Sequence, residues 1–178
     1  MRIVAGKYKN KTINAPSGLH TRPTLDKTRE SIFNIIAPYI FDSNVLDIFS
    51  GSGALAIEAL SRGAKKITLI DNDDNAIKVI NENISSIKEN SRAIIIKDDY
   101  KVISTLNEKY DVILLDPPYN LNVFDEIFSI IKEKQLLNDY GVIVFESDAN
   151  HVLKDNYEGF KLKNYKYGIA HVSVLFKY

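Results

Sequence analysis

The segment VLDIFSGSGALAIEAL (residues 45–60) joins an apolar run to a glycine turn and then to an apolar helical pattern. Gly51 and Gly53 allow positive φ angles in the turn, and without a Cβ atom they let the backbone approach a ligand closely. A strand, a G-x-G turn and a helix in this order are typical of the first βα unit of a doubly wound α/β sheet. Ligands of such sheets bind at the carboxyl ends of the strands, so the segment also predicts where the site lies.

The same alternation of strands and helices continues along the chain. The predicted strands are 45–49, 66–70, 93–96, 111–115 and 142–146, and the predicted helices between them are 54–62, 73–90, 100–108 and 123–136. The central strands are apolar almost throughout, as expected of parallel strands that helices cover on both faces. Two last strand patterns, 160–167 and 171–177, leave no room for a crossover helix and predict an antiparallel hairpin.

Five parallel strands and a C-terminal antiparallel pair make a seven-stranded sheet. This is the strand set of the Rossmann-like class I S-adenosylmethionine methyltransferases, whereas a nicotinamide-binding domain would need a sixth parallel strand. Before the sheet, residues 1–14 predict a small β-hairpin. A helix is predicted over 27–37, with Asp26 as its N-cap and Pro38 as its stop.

Charge is distributed unevenly, although the formal net charge is zero. The first 30 residues contain seven Lys or Arg and two Asp or Glu, whereas the remainder contains 16 basic and 21 acidic residues. We therefore expect a basic extension over 1–38 and a methyltransferase domain over 39–178. A basic arm on an acidic body suits contact with RNA phosphates, although a solvated terminal hairpin would have the same charge. The predicted RNA-binding residues are Arg2, Lys7, Lys9, Lys11, Arg22 and Arg29.

Composition excludes several classes of protein. The 178 residues contain no cysteine, which rules out disulfides, thiolate zinc sites and a cysteine nucleophile. The three histidines are dispersed, so we expect no metal site. The sequence has no apolar run long enough to span a bilayer and no secretory signal, so we expect a cytoplasmic protein with no membrane partner. We also expect a monomer.

Acidic residues lie near or just after the ends of three of the predicted strands. Asp47, four positions before Gly51, would crowd a pyrophosphate but suits the cationic methionine portion of S-adenosylmethionine, although GSGALA also satisfies a dinucleotide motif. Asp71 can accept hydrogen bonds from both ribose hydroxyls, or it can cap the following helix. Asp98 or Asp99 can accept from the adenine amino group, with Asp99 better spaced, and a turn role is also open. The predicted cofactor-binding residues are Asp47, Gly51, Gly53, Asp71, Asp98 and Asp99.

The fourth strand ends in Asp116-Pro117-Pro118-Tyr119. The prolines fix φ and remove two amide donors, which leaves carbonyl oxygens free to accept. Asp116 and the Pro117 carbonyl can bind the two hydrogens of a base amino group, and Tyr119 can stack on a base that has left its helix. Because the lone pair of such an amine is delocalised, its orientation toward a methyl donor supplies most of the catalysis. These four residues are the predicted catalytic site, although a rigid turn is the alternative.

Several segments together resemble the bacterial 16S rRNA guanine-N2 methyltransferases, which act on the small ribosomal subunit. They are RIVAGKYKNKTINAPSGLHTRPTLDKTRESIFNII (2–36), LDIFSGSGALAIEALSRGA (46–64), DPPY (116–119), GVIVFES (141–147) and KYGIAHVSVLFKY (166–178). DPPY alone is shared with adenine methyltransferases, and the TRPT run (21–24) with SGSGAL and EALSRGA is more specific. The resemblance implies that Asp116 to Tyr119 hold a guanine amino group. It also implies that Arg22 approaches RNA or orders the pocket.

The leading hypothesis is a guanine-N2 methyltransferase whose cofactor is S-adenosylmethionine and whose partner is small-subunit rRNA or the assembling subunit. A DNA adenine-N6 methyltransferase would use the same tetrapeptide, but 178 residues leave no separate target-recognition domain. A nicotinamide oxidoreductase would make Asp47 and DPPY incidental. A non-catalytic RNA-binding assembly factor would keep the basic arm and would not need DPPY.

Overall fold

Seven strands form one sheet in the structure, a computed structural model that describes residues 1–16, 23–118, 121–153 and 156–178. The strands are β1 (Asn44–Ile48), β2 (Lys66–Asp71), β3 (Ala93–Lys97), β4 (Tyr110–Leu115), β5 (Leu137–Ser147), β6 (Phe160–Tyr167) and β7 (Ala170–Lys177). Their order is β3-β2-β1-β4-β5-β7-β6. β1 to β5 pair in parallel, and β7 is antiparallel to both β5 and β6. The predicted Rossmann-like fold with its C-terminal hairpin is therefore confirmed.

Helices connect the strands and cover both faces of the sheet. They are α1 (Pro23–Ile35), α2 (Ala54–Ser61), α3 (Asp74–Ser86) and α4 (Phe124–Glu133), with short 3-10 helices at Ala37–Tyr39, Asn90–Arg92 and Tyr100–Thr105. One buried cluster contains Phe33 of α1, Ile57 of α2 and Ile80 of α3. A second cluster contains Ile127 and Phe128 of α4. β1 contributes alternate residues to the two clusters, so the first three helices lie on one face and α4 lies on the other.

Two predicted helices differ from those in the structure. The segment predicted as a helix over 100–108 forms only the 3-10 turn, because it is short and rich in β-branched residues, which disfavour a helix. The helix predicted over 27–37 begins instead at Pro23, a residue whose fixed φ and missing N–H suit the first helical position. Asp26 therefore lies inside the first turn of α1 and is not its N-cap. It accepts a hydrogen bond from Arg29 Nη2 at 2.9 Å.

The N-terminal residues form a looped chain rather than a regular hairpin. Arg2 and Thr12 form one antiparallel bridge, and the loop between them packs on α2. The amides of Val4 and Ala5 donate to the two carboxylate oxygens of Glu58, at 2.8 and 3.0 Å. Gly6 passes so close to α2 that a Cβ atom would lie 1.9 Å from a main-chain oxygen. The N-terminal extension (1–38) thus packs into the same core as the sheet. The domain boundary at residue 38 stays a prediction.

Candidate active site

The glycine turn after β1 has the backbone that its sequence predicts. Gly51 and Gly53 have φ angles of +56° and +77°, and α2 begins immediately after Gly53. A Cβ atom on Gly53 would lie 3.1 Å from the Leu69 side chain, so a larger residue would disturb the packing under the turn. The Gly51 amide donates to Asp71 Oδ2 at 2.8 Å, which fastens the turn to the end of β2.

Asp47 is buried below this turn. Its Oδ2 accepts a hydrogen bond from the Ala56 amide at 3.2 Å, whereas its Oδ1 has no partner among the residues that the structure describes. Burial raises the pKa of the Asp47 carboxyl well above its usual range, and the nearby Asp116 and Asp71 raise it further. A buried oxygen without a donor is costly unless a ligand supplies one. This orphaned oxygen therefore suits the ammonium group of the methionine portion of S-adenosylmethionine.

Asp71 does not cap the helix that follows it. It accepts from the amides of Gly51 and Asp73, at 2.8 and 2.9 Å, and it is Asp73 that caps α3 by accepting from the Ala76 amide at 2.9 Å. The helix-cap alternative for Asp71 is thus removed. Because Asp71 is only partly buried, its carboxylate keeps surface for a ligand.

A cavity of about 250 Å³ opens beside Asp71. The residues that line it include Phe49, Asp71, Asp98, Asp99, Pro118 and Val123. Asp98 accepts from the Asp99 amide at 2.8 Å, and Asp99 caps the 3-10 turn by accepting from the Lys101 amide at 3.0 Å. The Asp98 and Asp99 side chains are both exposed, so either can accept a hydrogen bond from an adenine amino group. Together with the apolar ring of Phe49, these carboxylates suit an adenosine group.

Asp116-Pro117-Pro118 follows β4 at the same edge of the sheet. Asp116 and Pro118 are exposed and Pro117 is buried. The Pro118 carbonyl accepts from the Leu121 amide at 2.9 Å, whereas no described residue donates to the Pro117 carbonyl. Although the Asp116 side chain is exposed, desolvation by the surrounding protein raises the pKa of its carboxyl to about 6. Tyr119, the fourth predicted residue, lies outside the described residues.

Glu146 belongs to this edge and was missed as a site residue by the sequence interpretation. It lies in β5, is only 8% exposed, and has a pKa raised to about 8 by burial and by Asp116. One signal was available, because an acidic residue directly follows the apolar run VIVF (142–145). The four carboxyl residues Asp71, Asp47, Asp116 and Glu146, at the ends of neighbouring strands β2, β1, β4 and β5, are called the carboxylate row below.

The predicted RNA-binding residues lie in different environments. Arg29 is buried, and its guanidinium group pairs with Asp26 and Glu58 and donates to the Arg2 carbonyl. This does not fit contact with RNA, because the charge is neutralised inside the protein. Lys7 pairs with Glu89 at 3.3 Å, and Lys11 donates to the Ser86 carbonyl.

Two other basic side chains of the arm remain available. Arg2 and Lys9 are exposed and have no ion pair within the described part of the chain. Arg22 lies outside that part. Within it, no group of acidic, histidine or cysteine side chains could hold a metal ion. None of its helices is long and apolar enough to cross a membrane.

The fold and the arrangement of the site together place the protein among the class I S-adenosylmethionine-dependent methyltransferases. Residues 1–176 match the family described as "Conserved hypothetical protein 95". The chain is 38% identical over 152 residues to "Putative rRNA methyltransferase YlbH" of Bacillus subtilis, covering 83% of each chain. It is 30% identical over 153 residues to "Ribosomal RNA small subunit methyltransferase D" of Escherichia coli, covering 86% of this chain and 77% of that one.

A solved structure gives the same result. "Putative methyltransferase yhhF from Escherichia coli" superposes with a TM-score of 0.88 at 28% identity, covering 99% of this chain and 97% of that one. The chain therefore belongs to the Conserved hypothetical protein 95 family and to that of the small-subunit rRNA methyltransferase D proteins. The resemblance found in the sequence is thereby confirmed.

Proposed function

We propose that this protein methylates the exocyclic N2 amino group of a guanine in 16S rRNA, either free or within the assembling small ribosomal subunit. One observation carries the proposal. Two acidic acceptors, Asp47 and Asp71, lie at the same sheet edge as Asp116 and the Pro117 carbonyl, to which no described residue donates. Small-subunit rRNA methyltransferases among the relatives support RNA as the substrate class.

The first part of the site would hold the cofactor. Asp47 Oδ1 offers a buried acceptor to the ammonium group of the methionine portion, and Asp71 offers its carboxylate to the ribose hydroxyls. Asp98 and Asp99 offer theirs to the adenine amino group. When bound, S-adenosylmethionine supplies an electrophilic methyl group on a sulfonium.

The second part of the site would hold the guanine. Asp116 and the Pro117 carbonyl accept the two hydrogens of the amino group, which turns the nitrogen lone pair toward the methyl donor. Pro117 and Pro118 contribute rigidity, and Tyr119 stacks on the base. The nitrogen becomes acidic as its new bond forms, so a carboxylate with a pKa of about 6 is a strong enough base for the proton that it loses.

RNA contact is proposed for the basic arm, in which Arg2 and Lys9 are exposed and have no ion pair with any residue that the structure describes. Lys7 and Lys11 would exchange their present partners for phosphates, and Arg22 is proposed to act next to the pocket. Arg29 is left out of this set because it is buried in ion pairs. The monomeric state and the cytoplasmic location stay predictions.

Tritiated methyl transfer tests the function. The protein is assayed with small ribosomal subunits, with free 16S rRNA and with duplex DNA, and the labelled nucleoside is identified by mass spectrometry. We expect N2-methylguanosine in small-subunit rRNA and none of the label in DNA. Label recovered as N6-methyladenine in DNA would transfer the function to the adenine class, and no transfer to any substrate would favour a non-catalytic assembly factor.

A further inference from the structure

Glu146 and Asp116 lie side by side at the ends of neighbouring parallel strands. Leu115 pairs with Phe145, so the next residues on the two strands are Asp116 and Glu146. Leu114 and Val144, two residues earlier on each strand, belong to the same core cluster, so both carboxyl side chains project from the same face of the sheet. Neighbouring strands are about 4.8 Å apart, so Asp116 and Glu146 are adjacent residues at this edge of the sheet, and the charge of Asp116 acts on Glu146.

The surroundings of Glu146 offer its charge no compensation. On the other side of β5 its partner in register is Val172 of β7, and beyond that residue lies Tyr165 of β6. His171, the next residue of β7, is in register with Ser147. No basic side chain among the described residues pairs with Glu146, and Asp116 is the charged group that acts on it. A carboxyl group that is buried beside another carboxyl group and has no cation near it is favoured in its protonated form.

We propose that Glu146 is a positioning residue, which keeps its proton at neutral pH and donates it in a hydrogen bond to the Asp116 carboxylate. This inference rests on the proposed function, since it assigns Asp116 to the acceptor amine. The hydrogen bond fixes the orientation of Asp116 and leaves its other oxygen for the amino group. It also keeps the pair at a single negative charge.

The proton balance follows from this arrangement. As the amino nitrogen forms its bond to the methyl carbon, the bond from that carbon to the sulfur of bound S-adenosylmethionine would break, and the electron pair would stay on the sulfur. The nitrogen then loses one proton, which the Asp116 carboxylate accepts and later releases to water. Glu146 begins and ends the cycle protonated. Desolvation by the surrounding protein raises the pKa of Asp116 to about 6, whereas burial and the charge of Asp116 raise the pKa of Glu146 to about 8. Between these two values the proton therefore stays on Glu146.

Two variants separate donation of a proton from ionisation. Glu146→Gln keeps a hydrogen-bond donor and cannot ionise, whereas Glu146→Ala removes the donor. Ser147→Ala is the matched control, because Ser147 is the neighbouring buried residue of β5 and its hydroxyl has no partner among the described residues. Single-turnover methylation of small ribosomal subunits is measured from pH 6 to pH 9.5, and cofactor affinity is measured for each variant to verify the fold.

We expect wild-type turnover to fall as the pH rises through about 8, where Glu146 ionises and its donor is lost. Glu146→Gln should keep turnover at pH 7 within about threefold and lack the alkaline fall, whereas Glu146→Ala should lose at least tenfold. Ser147→Ala should retain the wild-type profile. Equal losses in the Gln and Ala variants, or an alkaline fall that persists in Glu146→Gln, would overturn the proposal.

Carboxyl ¹³C NMR of the cofactor-free protein measures the titration of Glu146 independently of catalytic activity. We expect the Glu146 carboxyl group to titrate near pH 8 in the wild type, and we expect this titration to be absent from Glu146→Gln. A Glu146 signal that titrates near pH 4 would refute the inference even if methylation of RNA is observed. If the wild type methylates no RNA, the proposed function fails, while the NMR titration still decides whether the carboxyl pair shares a proton.

Discussion

The two halves of the carboxylate row differ in what holds their side chains. On β2 and β1, Asp71 and Asp47 accept hydrogen bonds from backbone amides of the turn and of the helices that follow. On β4 and β5, Asp116 and Glu146 have no amide donor within the described structure, and their pKa values rise to about 6 and about 8. Amide donors fix the geometry of a carboxylate, and this holds for Asp47 even though burial raises its pKa well above the usual range. We therefore propose that the first half binds the cofactor and that the second half handles a proton.

Removal of Asp116 is the most severe test of this division. We expect Asp116→Ala to reduce turnover at least 100-fold, because it removes the group that orients the amine and accepts its proton. S-adenosylmethionine affinity should stay within a few fold, because the cofactor half is unchanged. Calorimetry and single-turnover methylation on the same preparation measure the two effects. Near wild-type turnover would mean that Asp116 has no part in the reaction.

Removal of Asp71 should have the converse effect. We expect Asp71→Ala to weaken S-adenosylmethionine affinity roughly ten- to a hundred-fold, since a charge-assisted hydrogen bond contributes about 1.5–3 kcal/mol. Asp73→Ala is the matched control two residues away. It removes the cap of α3, so it should lower stability by about 1 kcal/mol and leave affinity unchanged. If the two variants bind the cofactor equally well, Asp71 is not a ligand.

The pH dependence of protein stability distinguishes a carboxyl group that is buried without hydrogen-bond donors, such as Glu146, from one that has such donors. The folded pKa of Glu146 is raised, so its contribution to stability is complete at low pH and is lost as the pH rises toward about 8. The melting temperature of Glu146→Gln relative to that of the wild type should therefore increase as the pH rises from 5 to 8. Above pH 8 the difference should stay constant. A gain that is equal at pH 5 and pH 8 would contradict the raised pKa.

Glu89 provides the opposite case for comparison. Burial alone would raise its pKa, but hydrogen bonds from Tyr8 and Lys7 and the charge of Arg92 lower it. Its contribution is present above the unfolded pKa and is lost as the pH falls through the lower folded value. Glu89→Gln should thus be less stable than the wild type at neutral pH and approach it in acid. Scanning calorimetry at a series of pH values measures both variants.

The smallest effect is expected for single lysines of the arm. Lys9→Ala should reduce the slope of log affinity for RNA against log salt by about one unit and weaken binding a few fold, as expected for one lost phosphate contact. Substitution of Lys7, Lys9 and Lys11 together should flatten the slope further and leave cofactor affinity unchanged. Filter binding to 16S rRNA at several salt concentrations gives the slopes. An unchanged slope in the triple variant would move the RNA-binding surface to the body of the protein.

Much of the fold was predictable because its signals are local. The buried strands are continuous apolar runs, and the predicted and observed bounds of β6 agree, since alternation of residues and the Gly168 turn specify that hairpin. Helix starts were less predictable. Pro23 begins α1 three residues before Asp26, which was predicted as the N-cap, because a proline at the first position has a helical φ and no N–H that needs an acceptor.

The sequence by itself determined the sheet, the glycine turn and the candidate residues Asp47, Asp71 and Asp116, since each is carried by residues close together in the chain. Tertiary structure alone decided which charges are paired. Glu58 of α2 accepts hydrogen bonds from two amides of the N-terminal loop, and the buried Arg29 pairs with it. Arg29, which was predicted to contact RNA phosphates, is therefore part of the core. Glu146 lies beside Asp116 only because β5 pairs with β4. Burial and ion pairing depend on neighbours that are distant in sequence, so no local pattern can supply them.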